Sequence, residues 1–131
     1  MKDVLGIVEK VKIIGQHREV EALALMDTGA KLSSVDINLA AEAGIGPVKR
    51  TTKIKSASKD SGTRRPVLEA TVEVGGRRFR TEVNITDRSN MAFPILIGRN
   101  IMQGHFLIDS EKNSEMFRHV VTKKKMQSEY D

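Results

Sequence analysis

Short apolar segments separated by turn residues run through most of the chain, and this pattern predicts β-strands. Residues 19–26 form the strongest segment, which ends in an unbroken apolar run at residues 22–26. Residues 67–74 and 77–85 flank the pair Gly75-Gly76, which is a strong signal for a hairpin turn. Further strands are predicted at residues 5–8, 11–14, 32–35, 49–56, 94–98 and 105–109.

Two short stretches have helical rather than strand character. Residues 38–43 predict a helical turn that ends at Gly44, and residues 101–103 predict a second one. The predicted fold is therefore all-β, a closed barrel with one short helix before the last strand. We expect residues 1–112 to form this domain and residues 113–131 to form a C-terminal extension that is helical or flexible, with Ser114 suited to cap a helix.

The strongest candidate for chemistry follows the strongest strand, at Asp27-Thr28-Gly29-Ala30. A carboxylate at the end of a buried strand is costly unless something uses or compensates it. Gly29 permits a tight loop that exposes this carboxylate at a fixed position. The same residue types also suit an ordinary strand-to-turn junction, so this motif alone leaves both interpretations open.

A second motif changes that balance. Apolar residues 94–97 precede Gly98-Arg99-Asn100, and the helix-like residues 101–103 come next. Together with the Asp27 loop, this arrangement resembles the retropepsin type of aspartic protease. In that family an Asp-Thr-Gly-Ala loop holds the catalytic carboxylate, and a Gly-Arg-Asn or Gly-Arg-Asp segment crosses behind it and starts the single helix. Such chains are half-size, so the resemblance implies a homodimer that supplies two aspartates.

The resemblance implies a role for each residue of the two motifs. Asp27 would be the catalytic carboxylate, Thr28 would brace the two loops of the dimer, and Gly29 would contribute backbone contacts to the substrate. Ala30 would leave room beside them. The residues expected to support the site are Gly98, Arg99 and Asn100. Many retroviral members carry an aspartate after the alanine to pair with the arginine, but Lys31 stands there in this chain, so Arg99 needs another partner.

Segments between the motifs narrow the resemblance further. It covers about residues 5–112 and includes, in order, residues 52–56, 65–68, 74–79, 84–88, 91–94 and 107–109. This series is similar to a bacterial and archaeal family labelled ATP-dependent zinc proteases. Its RimB-type members are retropepsin-like and are linked to RimK-type glutamate ligases.

Residues 59–63 are the expected tip of a flap, the hairpin that covers the substrate in retropepsins, although an ordinary mobile hairpin loop is the alternative. The substrate-binding residues expected here, in addition to Ala30, are Lys59, Ser61, Gly62, Arg64 and Arg65. With Lys53 and Lys55, the segment carries five positive charges and would give the cleft a cationic roof.

Composition limits the remaining function classes. With 131 residues the chain is long enough for one domain, and the absence of Cys excludes disulfides and a thiolate zinc site. His17, His105 and His119 lack the spacing of a zinc hydrolase, and no phosphate-binding glycine loop is present, so we expect no metal and no cofactor.

Charge and targeting features point to the type of partner. The net charge of +5 with few aromatic residues favours an acidic peptide over nucleic acid. No signal-peptide pattern and no apolar run of membrane-spanning length occur, so we expect a cytoplasmic protein that does not bind membranes.

The predicted function is that of a homodimeric aspartic peptidase in which two Asp27 carboxylates activate water, with acidic or glutamate-rich protein tails as substrate. Two alternatives stay open at this point. One is a non-catalytic dimeric peptide-binding module with the same fold, and the other is a metal-dependent protease.

Overall fold

A computed structural model describes residues 2–53 and 64–130 of the chain, and these residues are mainly β-strands. The predicted flap tip at residues 59–63, which includes Lys59, Ser61 and Gly62, lies outside the described residues, and so does Lys55. In chain order the elements are β1 (Asp3–Gly6), β2 (Val8–Ile14), β3 (Glu19–Met26), β4 (Ser33–Asp36), α1 (Ile37–Ala43), β5 (Val48–Lys53), β6 (Arg64–Val74), β7 (Arg77–Thr86), β8 (Ile95–Ile97), α2 (Arg99–Met102), β9 (Phe106–Asp109) and α3 (Ser114–Tyr130).

Six of these strands form a closed barrel. Their order is β2-β3-β8-β4-β7-β6, and β6 pairs back onto β2 to close the ring, while β5 adds to β6. In the second half of β6 the side chains of Ala70, Val72 and Val74 are buried, whereas Glu69, Thr71 and Glu73 are partly exposed, as the two-residue repeat of a strand requires. The predicted all-β barrel with a short helix, α2, before the last strand is therefore confirmed.

The N-terminal strands divide at a different place from the predicted one. The sequence pattern separates residues 5–8 from residues 11–14, but β1 ends at Gly6 and β2 already begins at Val8. At the break, the backbone N–H of Ile7 donates to the carbonyl of Lys112 at 3.0 Å. β1 lies outside the barrel and pairs with β9 in a separate parallel sheet. This contact with a distant segment, rather than local sequence, sets the boundary.

The helices end and pack through specific contacts. Asp36 caps α1 by accepting a hydrogen bond from the N–H of Asn38 at 3.1 Å, and Gly44 ends it in the left-handed conformation with φ of 77°. Phe117 of α3 stacks on the buried ring of Phe93, with centroids 5.9 Å apart. α3 thereby contacts the loop between β7 and β8, and the division of the chain at residue 112 stays a prediction.

Candidate active site

Asp27 directly follows β3, and a short turn holds its carboxylate in place. Its backbone N–H donates to the carbonyl of Ile97 on β8 at 2.9 Å, so the strand pairing extends up to the aspartate. Its Oδ1 accepts a hydrogen bond from the N–H of Gly29 at 2.9 Å, and the N–H of Ala30 donates to its carbonyl at 3.2 Å. The carboxylate is therefore fixed on a partly exposed turn, and Thr28 and Gly29 are exposed beside it.

The start of α2 holds this turn from behind. The N–H of Arg99 donates to the carbonyl of Ala30 at 2.8 Å, and the N–H of Asn100 donates to that of Lys31 at 3.2 Å. The Arg99 guanidinium donates from Nη1 to the carbonyl of Thr28 at 3.0 Å. A backbone carbonyl thus provides the partner that Lys31 cannot provide, and Arg99 connects the helix to the Asp27 turn without a carboxylate.

The side chain of Asn100 links the start of β4, which comes just after this turn, to β7. Its Oδ1 accepts from both the N–H and the hydroxyl of Ser33, at 3.0 and 2.9 Å. Its Nδ2 donates to the hydroxyl of Thr81 at 3.1 Å and to the carbonyl of Glu82 at 2.8 Å. The side-chain amide therefore uses its two acceptor positions and both donors. This complete set explains why an asparagine suits the position.

Gly98 allows the two motifs to approach each other. A Cβ at this position would lie 2.7 Å from the carbonyl oxygen of Leu32 and 2.9 Å from that of Ala30, and both of these are backbone atoms. The Gly98 N–H donates to the hydroxyl of Ser33 at 3.0 Å. The close contact, rather than the backbone conformation, therefore requires glycine here, because a φ of −102° is open to any residue.

A cavity of about 510 Å³ opens beside the turn. Of the residues singled out from the sequence, Asp27, Gly29, Ala30 and Arg65 line it, whereas Thr28 and Arg64 are not among its described lining residues. Gly98, Arg99 and Asn100 lie behind the turn, as the contacts above describe. Basic side chains contribute four of the described lining residues, which are Lys31, Lys53, Arg65 and Arg88.

The sequence assigned no role in the site to several lining residues, among them Ser34, Asn84 and Arg88. Arg88 is only 6% exposed. Burial lowers the pKa of Arg88, the charge of Arg65 lowers it further, and Asp36 and Asp27 oppose the shift. The only sequence signal for Asn84 and Arg88 was their place in the family-like segment 84–88, while nothing distinguishes Ser34 from any other strand serine.

Neither a metal-binding group nor a membrane-spanning helix occurs among the described residues. No three of their His, Asp and Glu side chains come together as a group that could hold a metal ion. Within the same part of the chain, no helix combines the length and the apolar character needed to span a membrane.

The fold has solved counterparts. A Legionella pneumophila protein of unknown function superposes with a TM-score of 0.58 at 21% identity, covering 85% of this chain and 95% of that one. EIAV protease in complex with an inhibitor gives 0.54 at 19% identity, covering 78% and 91%. Simian foamy virus protease gives 0.50 at 19% identity, covering 71% and 88%. The barrel is therefore that of the retropepsin-like proteases.

Residues 38–119 match the RimB-like family, described as retropepsin-like aspartic endopeptidase RimB. The chain belongs to this family, and the resemblance predicted from the sequence is confirmed. The matched segment includes Gly98, Arg99 and Asn100 and begins after the Asp27 turn. No curated protein matches the chain.

Proposed function

We propose that this chain is an aspartic endopeptidase whose active site forms when two copies bring their Asp27 carboxylates together. The observation that carries the proposal is the position of Asp27, fixed by its turn and partly exposed in a cavity of about 510 Å³. Membership of a family of aspartic endopeptidases supports it. The exposure of Thr28 and Gly29 also supports it, because the proposed dimer axis passes through this turn.

The chemistry follows from two carboxylates at close range. They cannot both ionise readily, so the pair loses its two protons in two coupled steps. At pH values between these steps the pair holds one proton. The ionised carboxylate takes a proton from water as the water oxygen attacks the scissile carbonyl carbon. The protonated carboxyl polarises the carbonyl oxygen. When the C–N bond breaks, the leaving nitrogen takes up the proton that the carboxylate took from water, so that an amine and a carboxylic acid are released and the pair returns to its starting state.

Acidic peptides, and more specifically glutamate-rich protein tails, are the substrates that the charges favour. The chain carries a net charge of +5. Among the described lining residues of the cavity, four are basic and one, Asp27, is acidic. A cleft lined by one sign of charge concentrates ligands of the opposite sign. The resemblance to proteins linked to glutamate ligases points in the same direction.

The test compares Asp27→Asn with Asp87→Asn, which makes the same chemical change on the exposed loop after β7. Hydrolysis of glutamate-rich peptides is followed by mass spectrometry, and molecular mass by light scattering with and without peptide. We expect Asp27→Asn to fold and dimerise but to lose hydrolysis, because asparagine keeps the shape without the titrating carboxylate. We expect Asp87→Asn to remain active.

Each alternative has its own outcome in this experiment. Near wild-type hydrolysis by a clean Asp27→Asn preparation would refute the aspartic mechanism. Full activity from a protein that is monomeric at all working concentrations would refute the dimer. Inhibition by a chelator, restored by zinc, would support the metal-dependent protease, whereas inhibition by a statine-type transition-state mimic supports the aspartic one. Peptide binding without hydrolysis in the wild type would support the binding module.

A further inference from the structure

The cavity beside Asp27 contains two guanidinium groups that are close enough to affect each other. Arg65 is the second residue of β6, and Arg88 follows β7. Burial is the main reason that the pKa of Arg88 is lowered, and the positive charge of Arg65 is the next. Two neighbouring cations in a partly buried cavity repel each other, so an anion placed between them would be attracted by both.

No carboxylate pairs directly with either guanidinium in the part of the chain that the structure describes, although Asp36 and Asp27 attract Arg88 at longer range. Neither guanidinium takes part in a salt bridge there. Arg88 donates from Nε to the carbonyl of Phe93 at 2.9 Å, and Arg65 donates from Nη1 to Oδ1 of Asn84 at 3.2 Å. The nearby Asp36 accepts instead from the backbone N–H groups of Arg88 and Asn38.

Two polar atoms at this cavity lack partners. The Nε of Arg65 and the hydroxyl of Ser34 are buried and make no hydrogen bond to any described residue. Buried polar atoms in folded proteins nearly always have a partner, so each unpartnered one calls for an explanation. Nε is one of the donors with which a guanidinium grips a carboxylate, and a serine hydroxyl can donate to the same group.

Strand pairing places these groups side by side. Ser34 on β4 lies opposite Asn84 on β7 and, on its other side, opposite Leu96 on β8. Thr52 on β5 lies opposite Arg65. The cavity lining therefore combines the apolar side chain of Leu96 with the polar groups of Ser34, Asn84 and Thr52 and with the two arginines. An acidic side chain has the matching character, with an aliphatic stem and a terminal carboxylate.

We propose that Arg65, Arg88, Ser34 and Asn84 form a subsite that binds the carboxylate of one acidic substrate side chain near the scissile bond. The inference rests on the proposed peptidase function, because it places this side chain in the cavity that Asp27 lines. It also goes beyond general attraction by a basic surface, since it assigns the preference to one substrate position and to one set of side chains. Lys31 and Lys53 also line the cavity but are exposed and are not part of this set, and salt weakens the attraction of such exposed charges.

The experiment uses pairs of short peptides that differ at one position, with glutamate in one and glutamine in the other, and moves this position along the peptide. Binding is measured by calorimetry, and hydrolysis by mass spectrometry, which identifies the cleaved bond. We expect one position at which glutamate binds at least about tenfold more tightly than glutamine, the factor typical of a hydrogen bond to a charged group.

Arg65→Met should remove most of this preference, because it removes the unpartnered Nε and one positive charge. Arg64→Met is the matched control, since it removes the same charge from the neighbouring exposed residue of β6. It should leave most of the glutamate preference intact, and the small part of the preference that long-range attraction contributes should disappear at high salt. Asn84→Asp is a second variant of nearly the same size. Its carboxylate would occupy the Arg65 guanidinium and should weaken the glutamate peptide selectively.

The outcomes separate the subsite from the peptidase activity. Equal effects of Arg65→Met on both peptides, or a wild type without glutamate preference at any position, would overturn the subsite even if Asp27-dependent hydrolysis is intact. A glutamate preference in binding that Arg65→Met removes would establish the subsite even if no peptide is hydrolysed, and the proposed activity alone would then fail. Should Arg65→Met not fold, as judged by circular dichroism, the same comparison with Asn84→Asp decides.

Discussion

Asn100 offers the sharpest test of how the site is held together. Its side-chain amide makes four hydrogen bonds, two from Ser33 and two to β7, between segments far apart in the chain. Asn100→Ala removes all four at once. Ser33 is fully buried in the wild type, and its backbone N–H loses its partner in this variant, while its hydroxyl still accepts from Gly98.

The size of the effect can be worked out from these bonds. A typical hydrogen bond contributes about 0.5–1.5 kcal/mol net, and a buried polar group without a partner costs about 1–3 kcal/mol. Because water can reach part of this partly exposed position, we take about 3 kcal/mol as the loss in the free energy of unfolding for Asn100→Ala. With a urea m value of about 2 kcal/mol per M, the unfolding midpoint should fall by about 1.5 M.

The measurement is urea unfolding followed by circular dichroism, with Asn90→Ala as the control. Asn90 is an exposed loop residue, so the same substitution there should change stability by no more than about 0.5 kcal/mol. If the midpoint of Asn100→Ala falls by no more than that of Asn90→Ala, the amide does not join the two segments energetically, and the reasoning is refuted.

Three further changes test other parts of the description. Gly98→Ala would force a Cβ against two backbone oxygens, so it should destabilise the protein by about 1–3 kcal/mol and lower its melting temperature, and an unchanged melting temperature would contradict the close approach. Hydrogen bonds from Lys49 and Arg80 lower the pKa of Glu69. Ionised Glu69 therefore stabilises the fold at pH values above its unfolded pKa, and this contribution is lost as the pH falls through its folded pKa. Glu69→Gln should accordingly flatten the acid limb of a stability profile, and an identical profile would show that the pairing is energetically silent. Arg64→Glu combined with Arg65→Glu should raise KM for glutamate-rich peptides far more than for neutral ones and remove most of the salt dependence, because the Debye length falls from about 10 Å at 0.1 M to about 3 Å at 1 M. Equal effects on both peptide classes would mean that these charges serve the fold rather than the substrate.

Local sequence was enough to predict most of the strands, the turn residues and the two motifs, although the boundary between β1 and β2 was wrong. The hairpin at Gly75-Gly76 was predicted correctly because both residues adopt positive φ, 59° and 75°, which glycine reaches at low cost. The end of α1 at Gly44 follows from the same property. The end of β3 was visible as an unbroken apolar run, within which Ala24 and Met26 are buried. Such signals depend only on neighbouring residues.

The partners across the fold could be decided only by the tertiary structure. Arg99 donates to a carbonyl 71 residues away, and every residue offers a carbonyl, so no side-chain pattern announces this bond. Closure of β6 onto β2 and the break at Ile7 likewise depend on where distant strands arrive. The unpartnered atoms of Ser34 and Arg65 are the strongest case, because burial and hydrogen bonding are set by all the surrounding segments together. The sequence alone thus determined the turns and the two motifs that contain the proposed active-site residues, because these depend on neighbouring residues. Only the folded chain decided which residues meet, including Ser34, Asn84 and Arg88 beside Asp27.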